Sequence, residues 1–154
     1  MQAKKILFPT DFSTASDAAL AYAVSLASDT GASLLIVHVQ EPMEYYGGDM
    51  YYGVPSPTNP EVRRMLESIR PSDTAVSYQH RMELGPPAEV IVRIARDEHV
   101  DLIVMGTHGR TGLRRMVMGS VAEQVVRNAP CPVLTLRQPQ EAKKSKKKPS
   151  PAAS

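Results

Sequence analysis

Three short runs constrain this chain more than any other feature. Ile6-Leu7-Phe8, Leu34-Leu35-Ile36-Val37 and Leu102-Ile103-Val104-Met105 are apolar at every position. A strand with one wet face alternates, so an unbroken aliphatic run of this length reads as a strand buried on both faces, the habit of parallel sheets. None approaches the ~20 apolar residues that a membrane helix needs. Helical patterns separate the runs. After a first strand over 4–9, Ala19, Leu20, Ala23, Val24 and Ala27 recur at helical spacing. Thr14 with Asp17 resembles a capping box, and Gly31 supplies the stop. Pro86-Pro87 opens a helix over 87–99 with Val90, Ile91, Ile94 and Ala95 as its stripe. Shorter helices are expected over 60–69 and 120–128, closed by Pro71 and Pro130. The remaining strands fall at 33–39, 74–84, 101–105 and 133–137, and 74–84 alternates with period two.

Five strands alternating with four helices imply an open, Rossmann-like parallel α/β sheet with helices on both faces. Ligands of such sheets bind outside the carboxyl ends of the strands, where the strand order reverses. The residues just after strands 1 and 4 are therefore the first place to look for a site.

Composition sets the limits. The chain has 154 residues, one domain's worth. Residues 1–138 carry 13 Lys and Arg against 15 Asp and Glu, while 139–154 carry five Lys and one Glu. The basic character belongs to a Lys-rich tail that is expected to be disordered. The 1–138 domain offers no electrostatic reason to bind nucleic acid. A single cysteine, Cys131, excludes an internal disulfide and a cysteine-based zinc site. With no signal-peptide h-region after Met1, a cytoplasmic protein is expected. Residues 40–59 hold four tyrosines, three glycines and three prolines without a period, and read as a lid or insert.

The segment after strand 4 runs Gly106-Thr107-His108-Gly109, then nine residues, then Gly119-Ser120. Glycine lets backbone amides approach an anion with no Cβ in the way. Gly119-Ser120 falls where the first turn of a helix leaves amides unpaired, and those amides together with the helix dipole favour phosphate. The chain has no Walker loop and no Gly-x-Gly-x-x-Gly.

Gly-x2-Gly-x9-Gly-Ser after an apolar strand resembles the nucleotide-binding signature of the universal stress protein family. Lys5-Ile6-Leu7-Phe8-Pro9-Thr10-Asp11-Phe12-Ser13 resembles that family's first strand and Pro-x-Asp turn. Asn128-Ala129-Pro130-Cys131-Pro132-Val133-Leu134 resembles its closing run. The resemblance spans about 3–138 and implies the ATP-binding branch, with strand order 3-2-1-4-5. It implies that Gly106, Gly109, Gly119, Ser120 and Val121 hold ribose and phosphates. The Pro9-Thr10-Asp11 turn and Val39 would line the adenosine end, with Met105 close by. A divalent ion, Mg or Mn, would be held by the phosphates. A homodimer through strand 5, Val133 to Arg137, is expected because that strand is an apolar edge in this order.

Alternatives remain open for several residues. Asp11 can accept from ribose hydroxyls, or serve as a charge or cap at the helix N-terminus near Ser13. Arg110, Arg114 and Arg115 either neutralise polyphosphate or form a solvated loop face. His38 reads as a satisfied core residue, His108 as an exposed loop residue, and Tyr45, Tyr46, Tyr51 and Tyr52 as part of an irregular loop. The leading function is an ATP-binding sensor or switch. A slow ATPase and an adaptor with a structural nucleotide are the alternatives.

Overall fold

The structure, a computed structural model, describes residues 2–41, 59–107 and 119–137. Its elements are β1 (Lys5–Pro9), α1 (Thr14–Thr30), β2 (Ser33–Gln40), α2 (Pro60–Ser68), β3 (Tyr78–Leu84), α3 (Pro87–Asp97), β4 (Leu102–Gly106), α4 (Ser120–Asn128) and β5 (Val133–Leu136). The strands form one parallel sheet in the order β3-β2-β1-β4-β5.

The unbroken aliphatic runs are the centre of that sheet, and successive residues feed opposite layers. Ile6, Phe8, Leu34, Ile36, Leu102 and Val104 pack under α1 and α2 with Ala19, Ala23, Ala27 and Leu66. Leu7, Leu35, Val37, Ile103 and Met105 pack under α3 and α4 with Val90, Ile91, Ile94 and Val125. Each fully buried Leu, Ile or Val contributes at most about 1.5–3 kcal/mol. Residue parity along β1, β2 and β4 therefore decides which helix covers which side chain.

Most element ends shift by a residue from the sequence expectation, and three differences have a clear local reason. The N-cap of α1 is Ser13 rather than Thr14; its side chain accepts from Ser16 N. β3 begins at Tyr78 rather than 74, because Asp73 folds the chain into a turn. Its Oδ1 accepts from Ala75 N at 2.9 Å, and its carbonyl accepts from Val76 N at 3.2 Å. α3 ends at Asp97 rather than 99. His99 takes a left-handed φ of 52°. Val100 N then donates to Ala95 O, and His99 N to Arg96 O. That is the paired closure of a Schellman motif, built here without the glycine that usually announces it.

One glycine is explained by packing alone. A Cβ on Gly106 would lie 3.0 Å from Ala15 Cβ and 3.1 Å from the Ala15 carbonyl carbon and oxygen. The end of β4 thus meets the first turn of α1 almost backbone to backbone. Gly106→Ala should push α1 outward and destabilise the fold by about 1–3 kcal/mol, the range for overpacking. Chemical denaturation measures it directly; an unchanged midpoint would show that α1 gives way freely.

Candidate functional site

β1 and β4 are neighbours at the point where strand order reverses, and the chain leaves both at the same end of the sheet. After β1 the turn is tightly bonded. Thr10 N donates to Val37 O at 2.8 Å, extending the ladder one residue past Pro9. Asp11 Oδ1 accepts from Ser13 N at 2.9 Å and from Ser16 Oγ at 2.8 Å. Asp11 N donates to Ser16 Oγ at 3.3 Å. The aspartate therefore belongs to the N-terminal cap of α1, one of the two roles left open by the sequence. Only one of its oxygens is used in this way: among the described residues Oδ2 has no hydrogen-bond partner. Burial works against ionisation of this carboxyl. The hydrogen bonds from Ser13 and Ser16 outweigh that and hold its pKa below the ordinary aspartate value.

After β4, Thr107 is buried and tied across the sheet, its N donating to Leu136 O at 3.0 Å. Its carbonyl accepts from Gly119 N, which pins the start of α4 to the end of β4. Gly119 is the N-cap of α4, with φ −67° and ψ 158° and no side-chain cap. Any L-residue adopts those angles, so backbone conformation does not require the glycine here. Glu123 N makes the first intrahelical bond, to Gly119 O. The N–H groups of Ser120, Val121 and Ala122 precede that bond and find no acceptor among the described residues. Ser120 is exposed and Val121 half-buried.

Close packing of Ala15 on Gly106 brings the Asp11–Ser16 cap and the end of β4 to one place. Pro9 and Thr10 are buried there. Val39 and Met105 are 8% and 6% exposed and belong to the core layer beneath α3 and α4. Gly109, Arg110, Arg114 and Arg115 lie outside the described residues, as do His108, the four tyrosines of the 40–59 segment and the Lys-rich tail.

His38 is satisfied, as expected: Nδ1 lies 2.7 Å from Thr10 O. His80 Nε2 similarly meets Ile69 O at 2.7 Å. The thiol of Cys131 is half-buried, and that burial, with Asp101 nearby, raises its pKa. Among the described residues no group of three or more His, Cys, Asp or Glu is placed to hold a metal ion. None of their helices is long and apolar enough to cross a membrane. Among the described residues, concavities lie elsewhere: one of about 450 Å³ between α2 and β3, lined by Arg63, Tyr78, His80 and Met82, and one of about 200 Å³ between α3 and α4.

Two residues escaped the sequence reading. Ser16 is a partner of Asp11, and the Asp-x-Ser-x-x-Ser spacing was its available signal. Phe12 carries a left-handed φ of 64°, and nothing in an aromatic side chain announces that.

The architecture defines a parallel α/β protein in which two loops meet at the topological switch point. Residues 2–137 match the universal stress protein family, and the chain belongs to that family. Universal stress protein MJ0531 of Methanocaldococcus jannaschii is 34% identical over 143 residues, covering 90% of this chain and 84% of the relative. A universal stress protein of Thermus aquaticus is 36% identical over 135 residues, covering 87% and 98%. The solved structure of MJ0577, also from M. jannaschii, superposes with a TM-score of 0.73 at 28% identity, covering 89% of this chain and 97% of that one. At 22% identity, and so for the fold alone, the chain also resembles a universal stress protein solved with cAMP (TM-score 0.66). It has the same likeness to one from Archaeoglobus fulgidus solved with dAMP (TM-score 0.59).

Proposed function

We propose that this chain is a cytoplasmic, ATP-binding stress-response regulator of the ATP-binding branch of its family. The observation that carries the reading is the pairing of two loops at the switch point. One presents the Asp11 carboxylate with Oδ2 unpartnered among the described residues. The other presents first-turn amides of α4 behind a glycine whose φ does not require glycine. An anionic phosphate suits the amides and a ribose hydroxyl suits the carboxylate. In this reading Gly106, Gly109, Gly119, Ser120 and Val121 hold ribose and phosphates, and Pro9, Thr10, Asp11, Val39 and Met105 form the adenosine end. Arg110, Arg114 and Arg115 supply charge to the phosphates. A Mg or Mn ion takes its ligands mainly from the nucleotide. Relatives of the same fold solved with cAMP and dAMP support an adenine ligand. Calorimetric titration with Mg-ATP tests the reading: saturable one-to-one binding is expected, and no heat at millimolar nucleotide contradicts it. Turnover on prolonged incubation separates a sensor from the slow ATPase alternative. Positioning a water for attack needs a base or orienting group, and in this reading Asp11 has none to spare, Oδ1 serving the cap and Oδ2 the ribose.

The same reading includes a homodimer through β5. The carbonyls of Pro132 and Leu136 accept from Ile103 of β4 and from Thr107 just past its end. Val133 and Thr135 therefore turn their N–H and C=O to the open edge, a ready site for a second copy about a two-fold axis. The side chains above and below that edge are already packed: Leu134 and Leu136 on the layer under α1, Val133 on the layer under α3 and α4. Thr135→Pro removes an outward donor without touching the β4 ladder. The unaltered protein should scatter light as a dimer at tens of micromolar, and the variant as a monomer. A mass near 16.8 kDa for the unaltered protein would show the edge unpaired.

A further inference from the structure

Resting on the nucleotide reading above, we propose that His38 is a positioning residue for Asp11, acting through the turn between β1 and α1. A carbonyl only accepts, so the 2.7 Å contact with Thr10 O makes Nδ1 the protonated nitrogen of His38. Thr10 is thereby held to β2 at both backbone groups, its N by Val37 O and its O by His38. Its hydroxyl in turn accepts from Phe12 N at 3.0 Å. The Phe12 ring lies on the imidazole of His38, centroids 4.5 Å apart and planes tilted by 38°.

These contacts converge on one unusual residue. Phe12 stands at φ 64°, a conformation that a bulky residue keeps only where its surroundings over-determine it. Reversal of the chain at Phe12 is what brings Ser13 N back onto Asp11 Oδ1 at 2.9 Å. His38 grips both sides of that reversal, the carbonyl before it and the ring on it. Release of the grip would let Phe12 relax toward negative φ and let the Asp11 carboxylate lose its fixed direction. The Thr10 contact alone would satisfy the ring nitrogen; the Phe12 ring on the imidazole is what ties His38 to the reversal itself.

Two variants divide the grip. His38→Phe keeps a ring for Phe12 and loses the donor to Thr10 O; His38→Asn keeps a donor and loses the ring. In the protein without nucleotide, His38→Phe should speed amide hydrogen exchange at Phe12 and Ser13 by about tenfold or more, with Ile36 and Ile103 unchanged. It should weaken ATP about fivefold and lower the preference for ribo- over 2′-deoxyribonucleotide. In an Asp11→Ala background it should weaken ATP no further, since a residue acting through Asp11 has nothing left to position. His38→Asn should recover part of each loss. Unchanged exchange in the turn, or a full additive loss on Asp11→Ala, overturns the proposal. If His38→Phe loosens the whole sheet, His38→Asn decides by the same readouts, its exchange at Phe12 and Ser13 lying above that of the unaltered protein or not. If the unaltered protein binds no adenine nucleotide, the functional reading fails, and exchange at Phe12 and Ser13 still decides whether His38 sets the turn.

Discussion

Gly119→Val should abolish ATP binding while leaving the fold in place. The substitution is compatible with the backbone, because φ −67° and ψ 158° suit a β-branched residue. The Gly119 N–H to Thr107 O bond survives it, since only a side chain is added. What changes is the space in front of the α4 amides, where a phosphate must come within hydrogen-bond distance of Ser120 and Val121. Three added carbons there should raise the Kd at least about a hundredfold, or about 2.7 kcal/mol. The stability cost is that of a poor N-cap, about 1 kcal/mol. Calorimetry and thermal melting of the same sample separate the two. Unchanged affinity would remove the phosphate from this end of the sheet.

Asp11→Ala should produce the second large effect, and on two properties together. Loss of a charged acceptor for the ribose hydroxyls should cost about 1.5–3 kcal/mol of ATP binding and reduce the preference for ribo- over 2′-deoxyribonucleotide. Because Oδ1 also accepts from Ser13 N and Ser16 Oγ, the variant should lose about 1–3 kcal/mol of stability as well. The pH dependence has a definite sign. The folded carboxyl has a lower pKa than the unfolded one. Its contribution is thus fully present above the ordinary aspartate value of about 3.9 and is lost as pH falls through the lower folded value. The unaltered protein should therefore lose stability across that acid window more steeply than Asp11→Ala. Parallel acid profiles would mean that the cap does not depend on the charge. Reduced stability with affinity and sugar preference intact would leave Asp11 as a cap alone.

Much of the architecture was legible in the sequence because burial on two faces leaves an unmistakable pattern. Leu34 to Val37 and Leu102 to Met105 have no polar position to spare, and the sheet buries both runs. The strand order came from the family resemblance, not from periodicity, and the sheet bears it out. Boundaries decided by backbone geometry were less legible. The end of α3 depends on His99 entering the left-handed region, where a glycine would have been visible. At the site, Asp11 was readable as a residue type, but its division between cap and ligand was not. That division depends on Ser16, five residues away, and on the reversal at Phe12. Gly106 was read for its freedom to approach an anion; its proximity to Ala15 is a tertiary fact that no local pattern contains.

The central claim is that adenine nucleotide binds where the chain leaves β1 and β4. An amide NMR titration of the unaltered protein with Mg-ATP tests it most directly. The expected result is saturable shifts at Asp11, Phe12, Ser13, Gly106, Ser120 and Val121, with Tyr78, His80 and Met82 of the α2–β3 concavity and Val92 and Gln124 of the α3–α4 concavity unmoved. Shifts confined to either concavity, or none at saturating nucleotide, would contradict it.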